Sequence, residues 1–429
     1  MSPRTPSGPS LSAFHGWRQA GATTLAGLVA MWAVAALGAW AAGAARIPGG
    51  AFPRVVTAAV LTAVGGSVKL SGSAGELART RATLTVMPLS VTVTGTLVFA
   101  AGFLRPLRHR AAVGGRELAG WAGRVGALWL LTLIGLAFIA RQTFAVAPGG
   151  DLIGDIGGLF DASPKVGFST DVPLTVVFGT LWLAGVMVLA LLIAGGAPLP
   201  ARLVRLRQSV RPAAYTMAAL LLGFVAVGVV VALVMAATRG HDAHRDAVVL
   251  LGLPNLVWPA FTIGLGATWR GRLDGPSGLP MPHLLDEVLR GPDVSPLNLG
   301  TLADHDGRVW WLVVVDAVLL LAAGFLMAAR SPVRVPEWRH GLRMALSLAL
   351  TVLMICLVGR VSVHYGLYLV GLGDVGGSLS GQLLLRPDVW PAVGIAALWG
   401  WVAGVVGARL ARTMRRRGNT AGRRGCGDR

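Results

Sequence analysis

Asp316 is the residue here whose type and surroundings most clearly invite chemistry. It stands inside the apolar run 309–329, the only acidic residue well within such a run. An aspartate at bilayer depth costs about 2.5–3.5 kcal/mol on insertion scales, so it must face other helices or a cavity. Two roles fit: a substrate or ion site, or a packed carboxyl hydrogen-bonded across helices to a Ser or Thr. A second group is Pro254, Asn255 and Pro259, all within residues 247–268. Each proline removes a backbone donor, and Asn255 adds an amide. Broken backbone at membrane depth survives only when buried in protein or lining a watery cavity. Asp155 and Asp374 form a third set, in matching Gly-Asp-(Ile/Val)-Gly-Gly loops. They could ring an outer mouth, or simply cap tight glycine turns. His241, Asp242, His244 and Asp246 hold donors enough for a metal, but their spacing matches no strong motif and reads as a solvated connector. No HExxH, GxSxG or P-loop occurs. The expectation is therefore no enzyme, no catalytic residue, no cofactor and no metal.

Those residues must be positioned by membrane helices. The chain is 54% hydrophobic and 13% charged, where soluble domains carry about 25% charged residues. The net charge of +19 is almost all arginine, lying between apolar segments. There it orients helices by the positive-inside rule rather than binding nucleic acid. Cys356 and Cys426 support neither a disulfide framework nor a metal site.

Eight runs are long enough to span: 21–45, 82–104, 121–140, 173–194, 213–237, 309–329, 344–359 and 390–408. Two more are weak. Residues 55–70 are short and end in Gly65-Gly66-Ser67, and 247–268 carry the prolines. Both read as re-entrant or discontinuous, entering and leaving on the outer side, with 247–268 packed between two halves of the protein. Trp121, Trp310, Trp311, Trp338 and Trp390 mark span ends, as headgroup anchors do. A short amphipathic helix is expected around 280–287.

The two halves repeat. Arg141 matches Arg360 (360 − 141 = 219), Asp155 matches Asp374 (374 − 155 = 219), and Asp171 matches Asp388 (388 − 171 = 217). Ala100-Ala101-Gly102-Phe103-Leu104 recurs as Ala322-Ala323-Gly324-Phe325-Leu326. Each half reads as span, weak segment, span, span, glycine-rich loop, span. Matching loops share a charge bias: Arg105, Arg108, Arg110, Arg116 and Arg124 against Arg330, Arg334, Arg339 and Arg343. Inverted repeats would place matching loops on opposite faces, so these repeats are parallel. The expected class is an all-α polytopic integral membrane protein of two tandem parallel repeats. About eight full spans and two broken or re-entrant segments make up its ten hydrophobic segments. Residues 1–20 form a cytoplasmic tail, 21–200 the first repeat, 201–410 the second, and 411–429 a basic, disordered cytoplasmic tail.

At Leu253-Pro254-Asn255-Leu256-Val257-Trp258 the chain resembles the streptophobe family of hydrophobic actinobacterial membrane proteins, over most of its length. The same Pro-Asn segment, with Met87-Pro88-Leu89, more distantly resembles PerM-like cell-division membrane proteins. The resemblance implies an accessory role in the division or envelope machinery, with no catalytic residue to carry over and a structural role for Pro254 and Asn255. The functional expectation is a non-enzymatic accessory or scaffold protein of the bacterial plasma membrane. The alternative is a channel or transporter for a small solute at the interface of the repeats. Expected partners are the lipid bilayer and other envelope membrane proteins, not nucleic acid.

Overall fold

The structure is a computed structural model that describes residues 10–46, 50–66, 68–74, 78–108, 115–140, 142–145, 164–194, 201–239, 243–274, 294–331, 336–369, 373–374 and 381–424. Seven helices are long and apolar enough to cross a membrane. Their outward faces carry exposed Leu131, Leu181, Leu233 and Leu398 midway along. That is the pattern of side chains meeting lipid, and the chain is a multi-pass membrane protein.

In the first half α1 (Ser10–Ala41) is followed by the 12-residue α2 (Phe52–Ala63), then α3 (Leu89–Leu104), α4 (Gly115–Ile139) and α5 (Val172–Ile193). The second half holds α6 (Ala201–Arg239), α7 (Ala243–Gly264), the short α8 (Leu299–His305), α9 (Trp311–Ala329), α10 (Glu337–Val358) and α11 (Val389–Arg424). The expected span from residue 82 is shorter as a helix. It begins at Leu89 and runs 16 residues, about 24 Å, because Pro88 ends the extended stretch before it. Residues 411–424, expected to be disordered, continue α11 to Arg424.

Joining these helices is a β-sheet that the hydropathy pattern did not announce. Its strands are β1 (Val68–Ala74), β2 (Ala78–Thr85), β3 (Gln142–Ala145), β4 (Pro164–Thr170), β5 (Trp269–Asp274), β6 (Ser295–Leu297), β7 (Val361–Leu369), β8 (Gly373–Asp374) and β9 (Gly381–Pro387). The order is β3-β4-β1-β2-β7-β9-β5-β6, with β8 on β7. First-half strands follow the order 3-4-1-2 and second-half strands 7-9-5-6. The same roles thus recur in the same sequence. The two runs meet where all 8 residues of β2 pair antiparallel with β7, from Ala78↔Leu369 to Thr85↔Ser362.

Packing is divided in the same way. One core cluster joins α1 to α5, around Met31, Phe99, Trp129 and Leu133. A second joins α6 to α11, around Phe261, Trp269, Leu320 and Leu348. In the first, α1 packs on α2, α3 and α4, and α5 on α3 and α4; in the second, α6 packs on α7, α9 and α10, and α11 on α9 and α10. Glycines set the closest approaches of α11. A Cβ at Gly324 would overlap the Ala403 carbonyl, and one at Gly404 would lie 2.8 Å from Met344 Cβ. Small residues of this kind let membrane helices associate by backbone contact.

Candidate functional site

The weak segments are built alike. In α2, Phe52-Pro53 open the helix with proline in the first turn, where its missing N–H costs nothing. The helix closes on Gly65 at φ +95, with Gly65 N–H donating to Thr62 O and Gly66 N–H to Leu61 O. In α7 the corresponding bonds run from Gly266 N–H to Ile263 O and from Ala267 N–H to Thr262 O, with Gly266 at φ +103. Left-handed φ of this kind suits glycine at a helix C-terminus. Pro53 matches Pro254 (254 − 53 = 201) and Gly65 matches Gly266 (266 − 65 = 201).

The break in α7 falls at Gly252, with φ −128 and ψ 16, and not at either proline. Pro254 then occupies the first turn of a second limb, Leu253 to Gly264. Pro259 is absorbed inside that limb. Both prolines are buried.

Asn255 does not serve carbonyls freed in its own helix. Its Oδ1 accepts from Leu89 N–H at 3.0 Å, and its Nδ2 donates to Met87 O at 2.8 Å. Leu89 opens α3, whose cap residue Pro88 offers no side-chain hydrogen bond. Asn255 therefore caps, from another helix, a first-turn donor that would otherwise be orphaned. The two short motifs singled out in sequence, Leu253-Pro254-Asn255 and Met87-Pro88-Leu89, are thus joined to each other. α7 also packs on α1 and α3 of the first half, with Leu251 against Gly38. The expectation that this segment lies between the halves holds.

The far end of α7 meets the second half. Trp258 Nε1 donates to Leu221 O at 3.3 Å, Trp269 Nε1 to Thr262 Oγ1 at 2.8 Å, and Trp399 Nε1 to Leu265 O at 3.1 Å. Asp316 is 2% exposed. Its Oδ2 sits so close to Gly264 that a Cβ there would overlap it. Neither carboxylate oxygen has a hydrogen-bond partner among the described residues. The Ser or Thr partner of the packed-carboxyl alternative is not found among the described residues. Gly264, Trp399 and Thr262 were not singled out in sequence. The repeated Pro and Gly at a spacing of 201 was the signal available for this helix end.

Of the paired loops, Asp155 lies outside the described residues. Asp374 lies in β8, opposite Tyr368 of β7. His241 and Asp242 and residues 280–287 also lie outside the described residues. Trp121 is no headgroup anchor. It is 6% exposed, stacks on Phe103, and donates from Nε1 to Phe103 O at 3.1 Å. Trp310, Trp311, Trp338 and Trp390 are exposed at helix starts. No family model, curated protein or solved structure matches this chain.

Proposed function

We propose that this protein is a non-enzymatic scaffold of the bacterial plasma membrane, built of two tandem parallel repeats whose strands form one platform on the outer face. The repeat is supported by the recurring strand order, by the matched helix packing, and by the shared design of α2 and α7. Strands in one sheet share one face of the membrane. Between β4 and β5 the chain passes through α5, α6 and α7, so an odd one of the three must return to its own side. The broken α7, whose limb after Gly252 runs only from Leu253 to Gly264, is that one, and α2 corresponds to it. Eight crossings follow: α1, α3, α4, α5, α6, α9, α10 and α11. Arg18, Arg105, Arg211, Arg330 and Arg409 then lie opposite the sheet, which the positive-inside rule places in the cytoplasm with both termini.

The observation that carries the scaffold reading is the β2–β7 ladder. It is the longest ladder in the sheet, and it bridges the halves. Transporters built from repeats work by rocking one repeat against the other. An eight-pair ladder outside the membrane, with α7 packed on helices of both halves, resists that motion. The seam is built to stay shut.

The test is a pair of cysteines at Thr80 and Leu367, which face each other in the ladder. In proteoliposomes neither the open nor the disulfide-locked protein should pass ions, sugars or amino acids. In native membranes, a photo-crosslinker at exposed Arg386 should give one discrete adduct with an identifiable envelope protein, unchanged by the lock. A solute flux abolished by the lock would replace the scaffold with a carrier. Cysteine labelling should also place Arg105 and Arg330 on one face and Asp171 and Asp388 on the other.

A further inference from the structure

We propose that Asp316 and the C-terminal end of α7 form a small-cation site within the membrane, taking a proton or Na⁺. Three observations converge on it. Asp316 is buried, and both its oxygens lack a partner among the described residues. Gly264, at the end of α7, is itself buried and lies so close that a Cβ on it would overlap Asp316 Oδ2. The site is also a helix C-terminus, where the backbone dipole presents negative charge. An acid thus meets the carbonyl end of a helix in an apolar place, with no hydrogen-bond donor to it among the described residues, and a buried charge of that kind must be paired or neutralised.

The first half shows what the position requires. Ala63 is the counterpart of Gly264 (264 − 63 = 201), and its carbonyl accepts from Thr92 Oγ1 on α3 at 2.6 Å. There the α2 end receives a hydroxyl proton from the neighbouring helix. In the second half, α9 brings an acid to the same end. An acid can satisfy a carbonyl only through a proton it carries or a cation it shares. Broken helices that present C-terminal carbonyls to Na⁺ or H⁺ are the usual construction of such sites in membranes. Gly264 is required there, since a side chain would fill the space of the carboxylate.

No charged side chain pairs with Asp316 among the described residues. The α7 limb from Leu253 to Gly264 contributes no titratable side chain. α6 offers Arg211 and Tyr215, the latter under Arg330 at the far end of α9. Glu337, Arg339, His340 and Arg343 open α10 at that same end, with Arg409 and Arg412 of α11 paired to Glu337. Cys356 lies near the other end of α10 and carries no positive charge.

The site does not depend on the scaffold reading, and its test is separate from flux. Thermal unfolding of the purified protein is followed in NaCl and in choline chloride at equal ionic strength, for wild type and for Asp316→Asn. A Na⁺ site should raise the wild-type midpoint by about 3 °C at a hundredfold excess over the dissociation constant, with no rise in the variant. A proton site should be indifferent to Na⁺. Dicyclohexylcarbodiimide, which attacks protonated carboxyls, should then label Asp316, and labelling should fall as pH rises. If Asp316→Asn does not fold, Gly264→Ala serves in its place and should abolish whichever effect is seen. A wild-type protein that is blind to Na⁺ and unlabelled, or labelled equally at every pH, would overturn the proposal.

Discussion

Replacing Asn255 with leucine removes the amide while keeping the same branched outline and number of side-chain heavy atoms, so its effect reads chiefly on the two hydrogen bonds to Met87 and Leu89. Each bond leaves behind a backbone group with no substitute. Leu89 N–H opens α3 after a proline cap without a side-chain bond, and Leu89 itself is only 2% exposed. Stranding one buried polar group costs about 1–3 kcal/mol, whereas side-chain hydrogen bonds inside membranes average about 0.6 kcal/mol by double-mutant cycles. With two groups stranded at a helix start, we expect a loss of about 2–4 kcal/mol. Asn255→Asp should lose at least as much at neutral pH. It keeps the acceptor for Leu89 but turns a carboxylate oxygen toward the Met87 carbonyl. The assay is reversible unfolding in mixed micelles, with amide exchange at Leu89 as the local readout. Exchange there should accelerate in both variants before α10 or α11 responds. A loss under about 0.5 kcal/mol for Asn255→Leu, with Leu89 still protected, would refute the reasoning and make the clamp an idle contact.

Two further substitutions separate backbone from packing. Gly266→Ala meets no atom within 4 Å, yet its φ of +103 disfavours a side chain. It should cost about 1–3 kcal/mol, measured by the same unfolding assay, without altering the spectrum of Trp399. Gly404→Val, which presses on Met344 Cβ at 2.8 Å and on the backbone of His340 and Gly341, should cost about 1–3 kcal/mol by overpacking. A smaller-to-larger change at Gly394, which has open space around it, is the control and should be neutral.

The helices were legible because lipid imposes a long local pattern, and the proposed repeat rests on residues that recur in the same order at spacings from 201 to 222. What the pattern could not give was non-local. β2, Ala-Arg-Thr-Arg-Ala-Thr-Leu-Thr, alternates in the period of a strand, but it adjoins the apolar start of α3 and was absorbed into one span. Its partner β7 follows α10, far along the chain, and no local signal links the two. Asn255 shows the same limit at one residue. Its type and its place among prolines are local facts, and they were enough to mark the helix as broken. The backbone it satisfies is set by which helix stands beside it, and no local pattern carries that.

Gly264 illustrates why the most informative residue at the site was also the least visible. Its importance lies in the atom it lacks, and its neighbour Asp316 was read alone as a helix residue. Placed at a span's middle, an acid invites a search for a hydroxyl partner. Placed at the end of a broken helix, it meets carbonyls, which need a donor as much as it does. The first half resolves that meeting with Thr92, a residue that brings its own proton. An acid at the corresponding end must obtain its positive charge from outside the side chain. The asymmetry between Thr92 and Asp316 is thus chemical rather than architectural. Two helix ends of one design have been given different means of closing the same gap.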